Sequence, residues 1–589
     1  MMTLHWSHVF VRDYSASFIR HRPFNHTPAS PESLQQIQSW ISECLISHGH
    51  GQSKDQWSPF TPTRLLHIQS EGSGYMLYLT DAKKLSENVS YTALSYCWGG
   101  DQSHKLTMAN VADAHRLKFA TLPRTLQDAI RVTCGLGYEY LWVDSLCIIQ
   151  DDAHEMAREI ALMPQIYSHA SITIAARASP SVLQGFLEHR FTGDVIEVPF
   201  QGSDSGLLGR VCMTEKNLGD CNWLDTRAWA LQESALSTRV IDYHSRHTFF
   251  GCVLTHGSTQ RAGRKGHTDG WDDLSIYPGT EIRDLGVPYQ DLTTTEAMVY
   301  WHDVVTNYAR RQLTVPTDRI LAISAIAGQL GVKRPHDTYI AGLWESVLPL
   351  DLLWIAVPDV ELPSYPRPHN YQGPSWSWTG IDGPIQFTHR LREFGIHSSY
   401  RNDEAYTADA ELLGHDVTLQ VEEAPFGAVS SAILTLKGRL RPIHQLHKYR
   451  SNSHDSFANW GDPLWTCEEI HSSESCQFSD DIHRELAIRC DTADFEEEID
   501  AMPIFLFHIV DPGPKKPSPF EPPESEPLTD SGEIYAPGWG LLLKKENGDT
   551  LLGKYSRLGT FRTRFSAPVC WDCARNYLDG FEQQVIQLV

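Results

Sequence analysis

The sequence is poor in basic residues and has no run of them. Its 589 residues include 49 Lys and Arg against 73 Asp and Glu, which gives a formal net charge of −24. A charge of this sign opposes long-range attraction to the phosphates of nucleic acid and to anionic lipid. We therefore expect no nucleic-acid partner.

Long apolar runs are also missing. A membrane-spanning helix needs roughly 18–20 consecutive apolar residues, whereas LPLDLLWIAV (348–357) is shorter and contains Asp351. The N-terminus has no basic segment followed by an apolar core, so we expect neither a membrane span nor a secretory signal. The 12 cysteines are scattered, and Cys134 and Cys147 lie in apolar runs, as is typical of reduced thiols. These features predict a cytoplasmic protein.

Complete ligand sets and common nucleotide-binding motifs are absent as well. Cys44, His48 and His50 have no second pair at zinc-finger spacing, and CWDC at Cys570 is a lone C-x-x-C. No G-x-G-x-x-G or Walker pattern is present. Ser234 lies outside any nucleophile-elbow context. We therefore expect no metal centre and no hydrolase triad.

The length and composition favour several folded domains. A chain of 66.6 kDa with 41% hydrophobic residues and 17 Trp is globular and too long for one ordinary core. We divide it into an N-terminal helix and lead-in (1–90), an α/β domain (91–239), a mainly helical accessory region (240–380) and a β-rich region (381–589). In the first region, Ser30 is a predicted N-cap, and Leu34, Ile37, Ile41 and Leu45 share one helix face.

Strand and helix signals alternate between residues 91 and 239. YTALSYCWGG, YLWVD and SITIAA predict strands, and the apolar character of YLWVD indicates burial on both faces of a parallel sheet. Helices are predicted in TLPRTLQDAIRVTCGLG and from Ala153, with Met156, Ile160 and Met163 on one side, and Pro164 is expected to kink or end the second. DTRAWALQESALSTRVIDY predicts a short helix that runs into a strand. This alternation predicts an α/β layer with right-handed crossovers.

The remainder of the chain has a region of predicted helices followed by a region of predicted strands. Helices are predicted over 296–312, 318–330 and 341–353, and the sequence after about 380 is rich in strand signals. The last two long strands are expected to form a hairpin across Asn547-Gly548. The acidic segment 491–500 predicts a solvated loop, and the Pro-rich segment near 511–530 predicts an insertion with little order.

Four blocks in the α/β region, read together, resemble the fungal heterokaryon-incompatibility (HET) domain. They are YTALSYCWGG, LPRTLQDAIRVTCGLGYEYLWVDSLCIIQDD, EIALMPQIYSHASITIAA and RAWALQESALSTRV, in the family's order between about Tyr91 and Arg239. The resemblance implies a parallel sheet with flanking helices, distantly similar to the Toll/interleukin-1 receptor (TIR) fold. It also implies a role in non-self recognition and regulated cell death. Some TIR domains cleave NAD with a catalytic Glu, so NAD is a candidate substrate, and no other cofactor is expected.

Glu159 and Asp144 are the candidate catalytic residues. In the HET pattern an acid lies one turn beyond a Trp, which resembles TIR-type NAD hydrolases; Glu159 is that acid here, and Met156 replaces the Trp. Its alternative role is a solvated acid paired with Arg158 or another nearby cation. Asp144 follows a predicted strand, near where ligands bind in open α/β sheets. It either holds a ribose hydroxyl or caps a turn by accepting backbone N–H bonds.

Five further residues are candidates for NAD binding: Tyr96, Trp98, Gly99, Arg227 and Glu233. Gly99 and its neighbour Gly100 permit close approach of a phosphate, and Trp98 is suited to stack on a base. A tight turn beside a core Trp explains the same residues. Arg227 suits a phosphate and Glu233 is a second candidate acid, but both are equally suited to lock the last helix onto the sheet.

Two hypotheses for function follow and stay open at this point. In the first, the chain is an NAD glycohydrolase in which Glu159 stabilises positive charge and Asp144, Trp98 and Arg227 hold the dinucleotide. In the second, it is a non-catalytic signalling module whose strand edges or helix faces bind other proteins, including further copies of itself.

Overall fold

The computed structural model describes 22 stretches of the chain. They are 4–8, 26–47, 60–72, 74–85, 89–112, 116–190, 195–201, 208–215, 222–245, 248–252, 255–258, 294–357, 365, 368–387, 408–443, 447–449, 464–466, 484–491, 504–510, 539–546, 552–565 and 581–589, with the helices and strands in these ranges bounded as given below. The chain divides into two compact units, Met1–Tyr300 and Trp301–Val589.

The first unit contains five helices and twelve strands in its described part. The helices are α1 (Pro31–Ser47), α2 (Arg124–Gly135), α3 (Asp144–Cys147), α4 (Ala153–His169) and α5 (Ala228–Leu236). The strands are β1 (Leu4–His8), β2 (Arg64–Glu71), β3 (Gly74–Asp81), β4 (Thr92–Ser95), β5 (Leu117–Lys118), β6 (Tyr140–Trp142), β7 (Ile172–Ala175), β8 (Val195–Gln201), β9 (Leu208–Glu215), β10 (Arg239–Tyr243), β11 (Thr248–Cys252) and β12 (Thr255–Ser258).

A nine-stranded sheet organises this unit, in the order β12-β11-β10-β7-β4-β6-β2-β3-β5. The four central strands β10, β7, β4 and β6 run parallel, and the pairings outside them are antiparallel. From β4 the chain moves to β6 on one side and then to β7 on the other. The direction of winding therefore reverses between β4 and β7, and in open α/β sheets ligands bind outside the carboxyl ends of strands at such a point.

Helices cover both faces of the parallel strands, as the sequence predicted. The Thr92 hydroxyl hydrogen-bonds Thr133 of α2, whereas the Ser95 hydroxyl donates to Glu233 of α5. Positions 92 and 95 point to opposite faces because side chains alternate along a strand. All four residues of β4 and of β7 are buried, as expected for parallel strands that are covered on both faces.

Helix α4 does not end at Pro164, contrary to the sequence-based expectation. It runs from Ala153 to His169 with the proline inside it. Contacts beyond the proline hold the last turns, since the Tyr91 hydroxyl donates to Ile166 O at 2.6 Å and the Tyr167 hydroxyl donates to Leu94 O at 3.1 Å. Tertiary packing therefore outweighs the loss of one backbone donor.

The N-terminal helix α1 is confirmed, with one change in its buried face. The Ser33 amide donates to the predicted cap, Ser30 Oγ, at 3.2 Å. The buried side chains of α1 that pack in the core of the first unit are Ile37, Ile41 and Cys44. Leu45 is 47% exposed. The apolar stripe thus passes through Cys44 rather than Leu45.

The second unit contains the predicted β-rich region. Helix α6 (Thr294–Tyr308) crosses the boundary between the units, and α7 (Leu321–Lys333) follows it. The strands are β13 (Tyr339–Ile340), β14 (Leu343–Trp344), β15 (Ile355–Ala356), β16 (Ile385–Gln386), β17 (Glu411–Leu419), β18 (Val429–Ile443), β19 (His447–Tyr449), β20 (Leu464–Thr466), β21 (Arg484–Cys490), β22 (Ile504–Val510), β23 (Trp539–Lys545), β24 (Gly553–Phe565) and β25 (Glu582–Leu588). Strands β17 to β25 form one sheet, and β23 pairs antiparallel with β24 as expected.

The predicted helix over 341–353 is wrong. That stretch contains strand β14, paired with β13, and two 3-10 turns, Glu345–Val347 and Leu350–Leu353. Positive φ values at Ala341 (46°) and Gly342 (99°) form the turn between the strands and are incompatible with a helix. The predicted turn at Asn547-Gly548, the acidic segment after Asp491 and the Pro-rich segment 511–530 lie outside the described residues.

No helix in the described part of the chain is long and apolar enough to cross a membrane.

The close packing at Gly99, after the end of β4, predicts that any side chain at this position destabilises the fold. A Cβ at this position, where φ is +73°, would lie 2.1 Å from Ser181 Cβ and 2.7 Å from Ser181 Cα. We expect Gly99→Ala to lower the unfolding free energy by about 2–4 kcal/mol, from the clash and the left-handed backbone together. At the control position Gly72, φ is +58° and nothing lies within 4 Å, so Ala should cost about 1–2 kcal/mol there. Denaturant titration measures both, and equal losses would contradict a tight contact at Gly99.

Candidate functional site

The loops that follow β4 and β7 are held together at the carboxyl edge of the sheet. Ala176 N donates to Ser95 O at 2.9 Å, and Val182 N donates to Trp98 O at 3.2 Å. Ser181 occupies the space beside Gly99. Gly99 therefore serves this close loop contact, whereas a Cβ at the next residue, Gly100, would meet nothing within 4 Å.

Asp144 lies at the same edge, at the start of the short helix α3 that follows β6. Its Oδ1 accepts the Ser145 amide at 2.6 Å, and its Oδ2 accepts the Trp98 indole N–H at 2.8 Å. Burial raises the pKa of the Asp144 carboxyl, although Arg227 and these hydrogen bonds act in the opposite direction. The residue remains partly exposed, as does Trp98. Asp144 thus caps a turn at the carboxyl edge of the sheet, and the residue as a whole is partly exposed there.

Tyr96 lies beneath Asp144 and is buried. Its hydroxyl donates to Ser145 Oγ at 2.9 Å and accepts from Gln102 Nε2 at 3.2 Å. Burial, followed by the nearby Asp144 carboxylate, raises the pKa of Tyr96 well above its usual value. The phenol therefore stays neutral and positions the turn that carries Asp144.

Glu233 approaches the same edge from α5 on the other face of the sheet. It is 5% exposed and accepts a hydrogen bond from the Ser95 hydroxyl. The Tyr167 hydroxyl of α4, which donates to Leu94 O, lies close enough to oppose the rise in the pKa of Glu233. Burial raises the pKa of Glu233, and Arg227 opposes this rise.

Arg227 is the cation that both carboxylates share. It is the residue before α5, and its Nη1 donates to Tyr96 O. Burial alone would lower the pKa of Arg227, but the charges of Glu233 and then Asp144 raise it overall. Six residues separate Arg227 from Glu233 in sequence, a spacing that does not predict an ion pair. The charge of Arg227 thus acts on two carboxyl groups for which the sequence had suggested separate roles.

Glu159 belongs to a second polar group. It is 1% exposed, its Oε1 accepts the Thr63 hydroxyl at 2.6 Å, and Arg158 Nε lies 3.8 Å away. Its Oε2 is buried with no hydrogen-bond partner in the described part of the chain. Neighbouring Glu155 accepts two bonds from Arg64, at 2.7 and 3.0 Å. The structure therefore brings Asp144, Trp98, Tyr96, Arg227 and Glu233 together and places Glu159 with Thr63 and Arg158.

Cys147 is an unreactive thiol that lies between the two polar groups. The charges of Asp144 and Glu159 both contribute to its raised pKa. It is fully buried, and burial raises its pKa to about 12. A thiol in this state is a poor nucleophile, which agrees with the packing role that its apolar neighbours predicted.

The sequence did not predict two residues that lie at the site, Ser95 and Tyr167. Ser95 donates a hydrogen bond to Glu233 and Tyr167 lies near it, but a serine in a strand and a tyrosine in a helix carry no local signal of that proximity. Among the residues that the structure describes, no three His, Cys, Asp or Glu side chains converge as metal ligands would.

The pKa of Glu233 predicts a pH dependence of stability. Because the folded pKa lies above the ordinary value of 4.5, the folded chain holds this proton more tightly than the unfolded chain. Its contribution to stability is full below pH 4.5 and is lost as the pH rises through the folded pKa. Glu233→Gln keeps the group neutral, so its stability relative to wild type should rise as the pH is raised from 4.5 to about 8.

Glu155→Gln is the matched control with the opposite sign. Arg64 lowers the pKa of Glu155, so wild type gains stability as the pH rises toward 4.5, and the variant lacks that gain. Denaturant titration across the pH range measures both variants. A Glu233→Gln curve that stays parallel to wild type above pH 4.5 would contradict the raised pKa.

Comparison with known proteins gives a consistent assignment for this part of the chain. The family model for the heterokaryon incompatibility protein (HET) matches residues 91–233. The chain is 36% identical over 94 residues to heterokaryon incompatibility protein 6, OR allele, of Neurospora crassa. That match covers 15% of this chain and 14% of the relative, so it spans only a small part of the relative's length.

No solved structure matches the chain, and the TIR-like fold stays a prediction beside the observed four parallel strands. The family match covers β4, β6, β7 and α5, and with them Asp144, Arg227 and Glu233. Residues 91–233 therefore form a heterokaryon-incompatibility (HET) domain, and the chain is a HET-domain protein.

Proposed function

We propose that the protein is an effector of fungal non-self recognition that triggers regulated cell death through its HET domain. The match to the HET family model and the likeness to a protein named for heterokaryon incompatibility support this proposal. The proposal concerns the whole chain, whereas the matches concern residues 91–233 and a stretch of 94 residues.

We further propose that the HET domain cleaves NAD at the carboxylates of Asp144 and Glu233. Water and NAD would give ADP-ribose, nicotinamide and a proton. The bond between the ribose anomeric carbon and the nicotinamide nitrogen breaks, and its electron pair leaves with nicotinamide. The ribose then carries oxocarbenium character, which an ionised carboxylate beside that carbon stabilises.

Asp144 is the carboxylate best placed for this role. The observation that carries the assignment is that Asp144 is partly exposed, with both carboxylate oxygens held by donors, at the carboxyl edge of the sheet. Trp98, also partly exposed, offers a ring for stacking beside it. Glu159, in contrast, is 1% exposed and bonded to Thr63. We therefore assign charge stabilisation to Asp144 and keep Glu159 as the alternative acid.

Arg227 and Glu233 take supporting roles in this proposal. Arg227 favours the ionised form of Asp144 by opposing the rise in its pKa that burial causes. Glu233 lies deeper, on Ser95, where a carboxyl with a raised pKa holds or releases a proton. Tyr96 fixes the turn of Asp144 through Ser145, and Gly100 leaves open space for a phosphate next to Gly99.

A specific observation also favours the non-catalytic alternative. The polar groups of the site satisfy one another: Trp98 bonds Asp144, Ser95 bonds Glu233, and Arg227 bonds Tyr96. A network of polar groups that bond one another rigidifies a fold without any need for a ligand. In that case the HET domain would act by assembling with other proteins or with further copies of itself.

An NAD-cleavage assay separates the two proposals. Purified protein is incubated with NAD, with and without enforced oligomerisation, and nicotinamide is measured. We expect Asp144→Asn to reduce release at least about a hundredfold and Glu159→Gln to change it only a few-fold. Asp128→Asn is the matched control, because Asp128 is also buried and accepts backbone amides, from Phe186 and Leu187, but lies outside the site.

The outcomes are distinct. Equal release from wild type and Asp144→Asn would remove Asp144 from catalysis, and loss of release in Glu159→Gln would return the role to Glu159. No release from any variant, together with concentration-dependent assembly in light scattering, would favour the signalling module.

A further inference from the structure

A short segment runs along the carboxyl ends of three parallel strands. We call residues 222–227 the strap; it contains a 3-10 turn, Trp223–Thr226, and leads directly into α5. At its start Asn222 Oδ1 lies 3.0 Å from Nδ1 of His244, the residue after β10. At its end Arg227 donates to Tyr96 O, after β4. The strap thus passes from the end of β10 to the end of β4.

The middle of the strap is fixed at β7, the strand between those two. Asp225 forms an ion pair with Arg177, which lies two residues beyond β7. Leu224 N donates to Arg177 O at 3.4 Å, and the Leu224 side chain is fully buried in a cluster with Cys97 and Ala175. The strap is therefore attached at its centre by an ion pair, a backbone hydrogen bond and a buried apolar side chain.

Arg177 does not depend on the strap for its neutralisation. It is 3% exposed, and its Nε donates to Asp242 of β10 at 2.7 Å. If Asp225 moved away, Arg177 would still have a buried carboxylate partner. Breaking the Asp225 contact therefore avoids the large cost of a buried unpaired charge, which makes this ion pair a suitable point for the strap to detach.

We propose that the strap is a closure that regulates the Asp144–Glu233 site. In the closed state it covers the carboxyl ends of β7 and β4, and Glu233 is only 5% exposed. Opening separates Asp225 from Arg177, withdraws Leu224 from Cys97 and moves Arg227, the cation that both carboxylates share. A partner or a second copy that binds the open strap would then convert a closed effector into an open one. That opening of the strap regulates the protein rests on the function proposed above, whereas the opening itself does not depend on that function.

Cys97 is a built-in reporter of this opening. It is 6% exposed, follows β4, and packs against Leu224 of the strap. Cys44 and Cys147, at 1% and 0% exposure, lie in other parts of the same unit and become accessible only through wider unfolding. The ratio of Cys97 labelling to Cys147 labelling therefore measures strap opening apart from global stability.

The test compares alkylation rates of the full chain by a small maleimide, with peptide mass mapping of each cysteine. We expect Asp225→Asn to raise the rate at Cys97 at least about tenfold, with Cys44 and Cys147 unchanged. Asp242→Asn is the matched control, because it removes the other partner of the same guanidinium and leaves the strap in place. An unchanged Cys97 rate in Asp225→Asn, or an equal rise at all three cysteines, would overturn the proposal.

Hydrogen exchange of wild type gives a second measurement that needs no variant. Backbone amides of 223–227 should exchange at least about tenfold faster than those of α5, because the strap opens without unfolding the helix. Exchange at equal rates in both segments would also overturn the closure.

Nicotinamide release from the same samples distinguishes this proposal from the function it regulates. Faster Cys97 labelling in Asp225→Asn without any NAD cleavage would leave the closure standing and remove the enzymatic function. NAD cleavage with unchanged Cys97 labelling in Asp225→Asn would support the enzymatic function and remove the closure.

Discussion

The charge of one guanidinium acts on two carboxyl groups that are largely removed from water, and the arrangement of the HET domain's edge depends on this. Arg227 interacts with both Glu233 and Asp144, and burial makes ionisation of either acid unfavourable. A buried charge that loses its partner costs about 3–5 kcal/mol. In the closed state the loop after β4, the exit of β6 and the start of α5 are therefore held together, although they are distant in sequence.

The parallel sheet explains how residues far apart in sequence come together at this edge. The Trp98–Asp144 contact joins residues 46 apart, and the Ser95–Glu233 contact joins residues 138 apart. Parallel strands place all their carboxyl ends at one edge, so each crossover returns its polar loop to the same place. The strap adds a second constraint at that edge, because Arg227 is both its last residue and the shared cation. Any movement of the strap would consequently alter the charge balance of the site.

Much of this fold could be predicted from the sequence, but only part of the site. Apolar periodicity located β4, β6, β7, α2 and α5, and the position of Asp144 after a strand indicated the carboxyl edge. The six-residue spacing of Arg227 and Glu233 could not reveal their interaction, since it depends on where α5 packs. Local rules also failed where tertiary contacts decide: α4 continues past Pro164 because Tyr91 and Leu94 hold its end. Glu159 resembled a family acid, but only packing shows that it is bonded to Thr63.

A double-mutant cycle tests the shared cation most directly. The unfolding free energies of wild type, Asp144→Asn, Glu233→Gln and the double variant are measured at neutral pH by denaturant titration. The charge of either carboxylate favours the buried cation of Arg227, so each single change should be mild, whereas the double change removes both charges at once. The account predicts that the double variant loses at least about 1 kcal/mol more than the sum of the single losses. Additivity within about 0.3–0.5 kcal/mol would mean that the two acids act independently and would contradict it.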